Sequence, residues 1–449
     1  MKKKQKKIII IGAGPCGLGA AWRLKELGYD NFTLYEKEAY VGGLATSFVD
    51  AKGFTWDIGG HVLHSHYPYF DQVFERVMQG NYFTHQRKAW AYLFNTFVPY
   101  PVQNNIRYFP KHIQKECLDE LKKINALPKN ATHFYAWMQE TFGKGIVRYF
   151  LAPQNRKSWA YPLTQMSMQW MSDRIAPVDV KRIEENIQKG TDDVDWGPNN
   201  IFHFPKKGGT GSLWNRIAKG AMPLIRFNKH VTAIDSKKRQ VLCNDGSWET
   251  YDYLLTTVPL DRLVRLIKGI KIDKSTKHLQ HNSVCIVGLG VAGKVPVPLE
   301  NKCWMYFPER QVPFFRATVL SNYSKYNAPA GTWSLMTETT FSDYKRLPNT
   351  IETLVIEAAR KMHFISSNQD IVNVWKYSAG YGYPIPTLGR DTYLRRVLPL
   401  LEQHDIYTRG RFGLWKYEVS NQDHTFMQGV EWVDRMVYSK KETTIGNIY

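Results

Sequence analysis

Apolar positions open the chain as a block. Residues 8–11 are four consecutive isoleucines, the pattern of a strand buried on both faces, and a first strand is predicted over 7–11. Gly12-Ala13-Gly14-Pro15-Cys16-Gly17 follows, then apolar residues at helical spacing through Leu24 and a stop at Gly28. A second strand is predicted over 31–35, ending in Glu36. Strand, G-x-G-x-x-G turn, helix, strand and an acidic residue about 20 positions on is the context in which this motif means dinucleotide binding. Each position has a physical task there. Gly12 allows the tight turn, Gly14 lets the main chain approach a pyrophosphate, and Gly17 permits close helix–strand packing, with the phosphates on the helix N-terminus. Glu36 can accept from a ribose hydroxyl, and its charge repels the extra phosphate of NADP.

Further along, helical spacing over 112–124, 133–142 and 144–150 predicts a helical insertion within 108–180. The period then changes. Runs at 231–234, 240–243 and 253–257, with the turn Asn244-Asp245-Gly246, predict a meander of strands, and strand-like runs recur at 284–289, 304–307, 332–337 and 371–377. Neither an internal repeat nor a low-complexity linker is visible, so domains interleaved along the chain are expected rather than domains in series.

A length of 449 residues is enough for about three domains and a cofactor cleft. With 43% hydrophobic and 22% charged residues the chain is of the soluble globular class. A net charge of +20 suits polyanionic ligands: nucleic acid, an anionic membrane or phosphate-bearing small molecules. The basic residues are dispersed and form no basic-aromatic module, which disfavours a nucleic-acid binder. Five cysteines, Cys16, Cys117, Cys243, Cys285 and Cys303, form no C-x-x-C pair; no disulfide framework or thiolate zinc site is expected, and a reducing cytoplasm is. The basic run 2–7 before the uncharged stretch 8–22 imitates a secretory signal, but such a signal needs neither the glycine spacing nor the second strand. No uncharged stretch reaches the ~20 residues of a membrane helix. Gly-, aromatic- and polar-rich segments at 57–61, 99–105, 196–199 and 411–413, and Gly42-Gly43, are candidate ligand loops. His61, His64 and His66 fit no metal pattern with a carboxylate, and no metal is expected.

The order of six segments carries a resemblance: GFTWDIGGHVLHSHYPYFD (53–71), VPYPVQNNI (98–106), WGPNNIFHFPKKGGTGSLW (196–214), CWMYFP (303–308), FRATVLSNYSKYN (315–327) and RGRFGLWKYEVSNQDHTFMQGVE (409–431). From residue 8 to about 429 the chain resembles the UDP-galactopyranose mutases, the eukaryotic-type branch more than the bacterial one. The resemblance implies an α/β fold: an FAD-binding Rossmann-like domain with an inserted helical bundle and an antiparallel β-sheet domain. The expected division is an FAD-binding domain from 1–80, 228–265 and 379–449, a β-sheet substrate domain from 81–107 and 266–378, a helical substrate domain over 108–180 and a junction over 181–227. It also implies an isomerisation of UDP-galactopyranose to UDP-galactofuranose without net redox: N5 of reduced FAD attacks the anomeric carbon and expels UDP, the sugar ring opens and recloses, and UDP returns. NADPH or NADH is the implied external reductant. Two alternatives stay open, a mutase for another NDP-hexose (UDP-N-acetylgalactosamine or a dTDP- or GDP-deoxyhexose) and a flavin amine oxidase-type oxidoreductase. The partner implied is a small-molecule nucleotide-sugar, with no nucleic acid and no membrane, and the oligomeric state is not indicated.

Carried over residue by residue, Arg174 and Arg316 match arginines that hold the UDP pyrophosphate, and planar guanidinium forks suit phosphate oxygens. Tyr306, Tyr323, Tyr383 and Tyr417 match phenols that donate to the phosphates. Tyr100, Gln103, Phe150, Asn155 and Trp159 match the uridine subsite. Asn199 and Arg87 match positions beside flavin and sugar, Asn421 the position that closes the sugar pocket, and His61 the histidine next to the isoalloxazine. With Gly12, Gly14, Gly17 and Glu36, the cofactor is further expected against Gly43, Gly60, His61, Arg87, Val231 and Arg411. His61, Arg174 and Arg316 are the candidate catalytic side chains. His64 and Val102 stand where relatives carry aromatic residues, so the base and sugar preference is less determined than the reaction type.

Overall fold

The isoleucine run becomes the middle strand, Ile8–Ile11, of a five-stranded parallel sheet. The computed structural model describes residues 5–124, 129–171, 176–194, 197 and 200–446. Across the sheet the order is Ile406–Thr408, Tyr253–Thr256, Ile8–Ile11, Phe32–Tyr35 and Ile225–Arg226, every pairing parallel. Burial of both faces explains why the strand shows no polar alternation. Ile8 and Ile10 join one core with the helices Pro15–Glu26, Gly211–Ala218 and Gln422–Tyr438, whereas Ile9 and Ile11 join another with Arg390–Glu402. The first and last helices meet backbone to backbone: a Cβ at Gly19 would lie 2.2 Å from the Phe426 carbonyl oxygen, and one at Gly429 2.0 Å from that of Cys16.

The expected meander is corrected in one respect. Trp248–Thr250, Gln240–Cys243 and Val231–Asp235 do form an antiparallel array, but Tyr253–Thr256 leaves it and pairs with Ile8–Ile11. Its buried Leu254 and Leu255 require cover on both faces, which only the parallel sheet offers.

A seven-stranded sheet runs Ile371–Pro384, His281–Ala292, Thr332–Phe341, Arg316–Val319, Trp304–Tyr306, Ala89–Leu93, Thr96–Pro99, antiparallel except where Trp304–Tyr306 meets Ala89–Ala91. The expected boundary at 378–379 falls inside the strand Ile371–Pro384. Glycines on the long strand His281–Ala292 make room for aromatic rings: a Cβ at Gly288 would strike the Trp56 indole at 2.6 Å, and one at Gly290 the Phe54 ring at 2.4 Å. Trp56 also stacks on Trp375, centroids 5.8 Å apart and 8° from parallel. These contacts anchor the segment leading into Gly59-Gly60-His61.

The helical insertion holds Lys111–Lys123, Phe134–Ile146, the π-turn Val147–Leu151 and Ala152–Trp159 around an apolar core. All five cysteines are buried thiols. Among the described residues no helix is long and apolar enough to cross a membrane.

Candidate functional site

A cleft of about 700 Å³ opens at the C-terminal ends of the parallel strands. Gly12, Gly14, Glu36, Gly43, His61, Val231 and Arg411 line it. Gly12 has φ +100°, and the Thr257 hydroxyl oxygen lies 2.0 Å from where its Cβ would be, so both conformation and space demand glycine. Gly17 does not face the cleft; its Cβ would sit 1.9 Å from the Gly12 carbonyl oxygen, which makes it the packing glycine of the turn. Gly14 faces open space, with no atom within 4 Å of where a Cβ would stand, and it caps the helix Pro15–Glu26. The Glu36 carboxylate accepts from the Ala13 amide at 2.7 Å and the Glu38 amide at 2.9 Å, one per oxygen. Each oxygen keeps a lone pair, and although burial raises this carboxyl above its usual range, the two amides oppose that shift. An open cradle before Gly14, a helix N-terminus and an acceptor at the end of the second strand fit a dinucleotide such as FAD.

His61 and Arg411 line this cleft and also a second cavity of about 240 Å³, so the two meet there. His61 Nδ1 is buried and makes no hydrogen bond among the described residues. Burial, then the charges of Arg411 and Arg316, lower the imidazole pKa to about 3 and keep the ring neutral. Tyr306, Arg316, Tyr383, Tyr417 and Asn421 wall the smaller cavity. Burial raises the Tyr306 phenol and pushes Tyr383 up to about 12, so both stay protonated donors. Gly60, expected on the cofactor, lines this second cavity and donates its amide to Glu338 at 3.1 Å.

Other predicted residues lie around these walls. Tyr100 sits 5.9 Å from the Tyr306 ring, and Trp159 packs edge-on to Tyr417 at 4.9 Å. Tyr323 is 1% exposed, packed against Phe202 and Phe204, with its hydroxyl buried and unbonded among the described residues. Gln103 donates to the Ala176 carbonyl at 3.1 Å and leaves its Oε1 without a partner among the described residues. Phe150 is buried in the helical core, and the Asn155 side chain donates to Leu151 at 2.8 Å and accepts from Trp159 Nε1 at 3.2 Å; like Tyr100, Gln103 and Trp159, these two residues stand outside the linings of both cavities. Arg87 is also absent from the cofactor cleft: its guanidinium lies 5.6 Å from the Tyr100 ring centroid, where the cation meets an aromatic face. Arg174 and Asn199 lie outside the described residues.

Residues 15–411 match the family of flavin containing amine oxidoreductases. The crystal structure of a reduced UDP-galactopyranose mutase is 43% identical, superposes with a TM-score of 0.97 and covers 99% of this chain and 97% of its own. The chain belongs to the UDP-galactopyranose mutase family of flavin-dependent enzymes. More distant structures share the fold alone: a CLA-producing fatty acid isomerase from P. acnes superposes with a TM-score of 0.65 at 14% identity, over 97% of this chain and 100% of that one. Among curated proteins, a 4,4'-diaponeurosporene oxygenase of Staphylococcus haemolyticus (strain JCSC1435) is 39% identical over 87 residues, 19% of this chain and 16% of that protein.

Against this mutase fold, the group that sequence reasoning missed is Glu338. It is 1% exposed and holds Arg316 at two points, Nε at 2.5 Å and Nη2 at 2.7 Å. Arg316 is thus half of a buried ion pair, not the lone cation its motif suggests. The expected strand-like run 332–337 stopped one residue short of it; Glu338 is the one charge in the strand Thr332–Phe341. Asp423, a further wall of the smaller cavity, was also missed, because its histidine partners are more than 350 positions away or adjacent on a helix.

Proposed function

We propose that this enzyme interconverts the pyranose and furanose forms of a nucleotide-sugar, with UDP-galactose as the substrate, on reduced FAD. The observation that carries the reading is the junction at His61 and Arg411, where a dinucleotide cleft opens directly into a small cavity walled by Arg316 and four tyrosines. FAD bound in the larger cleft supplies, when reduced, an electron-rich nitrogen able to form a covalent bond to the anomeric carbon and release it again, so no protein nucleophile is required.

The side chains have binding and electrostatic work. Arg316, held by Glu338 through Nε and Nη2, offers its Nη1 side to the diphosphate, and Tyr306, Tyr383 and Tyr417 donate to phosphate oxygens. Neutral His61 orients the loop between cofactor and sugar, and Asn421 borders the sugar. Tyr100, Gln103 and Trp159 serve the nucleoside, with the Gln103 Oε1 free to accept from a base. Arg174 supplies a second fork to the diphosphate, and Asn199 borders the sugar. NADPH or NADH provides the electrons, and the buried thiols fit a cytoplasmic setting.

The test is to reduce the purified protein with dithionite under anaerobic conditions and follow a panel of UDP-, dTDP- and GDP-hexofuranoses by chromatography. Conversion of UDP-galactofuranose without net consumption of reductant is expected. Turnover with oxidised flavin, or hydrogen peroxide production from an amine, would overturn the proposal.

A further inference from the structure

The loop that carries His61 also carries His64 and His66, and the sequence offers no carboxylate beside them. Folding supplies one from the opposite end of the chain. Asp423 stands in the first turn of the helix Gln422–Tyr438 and is 1% exposed. One of its oxygens accepts from His66 Nδ1 at 2.7 Å and from the His66 amide at 3.1 Å; the other accepts from His424 Nδ1 at 3.0 Å. The two imidazole rings are 4.8 Å apart, and the potential ligand atoms of His66, Asp423 and His424 all lie within 4.8 Å of one another.

Two imidazole nitrogens and a carboxylate, converging from two elements, are a transition-metal donor set. With bonds of about 2.0–2.1 Å, a tetrahedral ion holds its ligand atoms about 3.3 Å apart. The nitrogen–oxygen separations of 2.7 and 3.0 Å open by about 0.6 and 0.3 Å to reach that value, and ligand atoms that stand up to 4.8 Å apart close by side-chain rotation at the exposed His66. Hard cations of the magnesium and calcium type prefer an all-oxygen shell, so nitrogen donors select the zinc class. His66 is solvent-exposed, which leaves an entry path and room for water as the remaining ligand.

We propose that His66, Asp423 and His424 form a binding site for a divalent transition-metal ion of the zinc class. Occupation replaces the two Nδ1–H···O bonds by metal bonds, each Nδ1 proton passing to Nε2 of its ring or to solvent. Because His66 belongs to the loop of His61, and Asp423 to the wall of the smaller cavity beside Asn421, a bound ion ties that loop to the helix Gln422–Tyr438. The site is separate from the proposed chemistry at the flavin, and its test reads binding.

The experiment uses the FAD-loaded protein. Zinc chloride is titrated calorimetrically, and cobalt chloride is followed by difference absorption in the visible d–d region. Saturable one-to-one binding, a tetrahedral cobalt band and a zinc-dependent rise in Tm are expected. His66→Ala, at an exposed position, and His424→Ala should each weaken zinc by about tenfold or more. His112→Ala, on the distant helix Lys111–Lys123, should bind as the parent does. Absence of saturable binding, or equal affinity in the parent and both cluster variants, would overturn the site.

Discussion

The Glu338 carboxylate grips the Nε and Nη2 edge of Arg316 at 2.5 and 2.7 Å, and the same Glu338 Oε1 receives the Gly60 amide at 3.1 Å. The guanidinium is therefore fixed before any ligand arrives, and its orientation is joined to the loop of His61. Removing one partner of a buried pair leaves the other charge uncompensated, which costs about 3–5 kcal/mol. Arg316→Ala should lower stability by that order and also weaken UDP binding by about one to two orders of magnitude, the worth of a charge-assisted phosphate contact. Combining it with Glu338→Gln removes the stranded charge. The double variant should regain most of the thermal stability and none of the UDP affinity. Recovery of both by the second substitution would mean that Arg316 acts only through the fold.

The turn glycines separate ligand space from packing space. At Gly14 the backbone is extended, with φ −75°, and a side chain would enter the cleft without meeting protein atoms. Gly14→Val should therefore fold with little change in the apoprotein's Tm, yet lose FAD, as read from the flavin absorbance per protein. Gly17→Ala should behave oppositely, because its Cβ would overlap the Gly12 carbonyl and force helix and strand apart. Low soluble yield is expected there, whatever FAD is supplied. Retention of FAD by a folded Gly14→Val protein would place the pyrophosphate elsewhere.

What the sequence made readable was whatever depends on local period or on spacing. The isoleucine run, the glycine turn and Glu36 lie within about 30 residues, and their structure follows from the backbone itself. Relations between distant segments were not readable. Tyr253–Thr256 looks like one more meander strand until the neighbours of Ile8–Ile11 are known. The motif around Arg316 announces an arginine but not the Glu338 that shares its charge, and the histidines of residues 61–66 give no hint of Asp423. The local bonds of Asn155, to the Leu151 carbonyl and from Trp159 Nε1, are another relation that the motif match does not announce.

His61 should make its mark on the pH dependence of stability. Its folded-state pKa is lowered to about 3, through burial first and then Arg411 and Arg316, whereas an unfolded histidine titrates near about 6.5. Between those values the unfolded chain binds the proton and the native chain does not. Stability from this residue is thus present above about pH 6.5 and is lost as pH falls toward 3. His61→Gln, which cannot titrate, should lose less stability than the parent as the solution is acidified from neutral pH, measured as the shift in urea midpoint. Parallel losses in the two proteins would show that His61 is protonated readily in the folded state.

The last prediction concerns a buried charge network whose members line neither cavity. Arg409 is 0% exposed and donates to Glu442 through Nε at 2.6 Å and Nη2 at 2.7 Å, while Nη2 also reaches Glu402 at 2.8 Å. Arg435 bridges the same two carboxylates, at 2.9 Å each. The network ties the end of the strand Ile406–Thr408 to the helix Arg390–Glu402, to the helix Gln422–Tyr438 and to the chain beyond it. Next to Arg409, the Gly410 amide is held by Gln428 at 2.7 Å, and then comes Arg411, which lines both cavities. Glu442→Ala leaves a buried guanidinium short of charge and should cost about 3–5 kcal/mol in urea unfolding. Since Arg411 is two residues along, the same variant should release FAD more readily, seen as a rise in free-flavin fluorescence on warming. Arg409→Met combined with Glu442→Leu puts apolar groups of similar volume in the same space, and such a replacement is often neutral or stabilising. If the double variant restores the urea midpoint and flavin retention together, the network acts by avoiding unpaired charge. If it restores the midpoint and still sheds FAD, the arginine itself sets the position of the Arg411 loop.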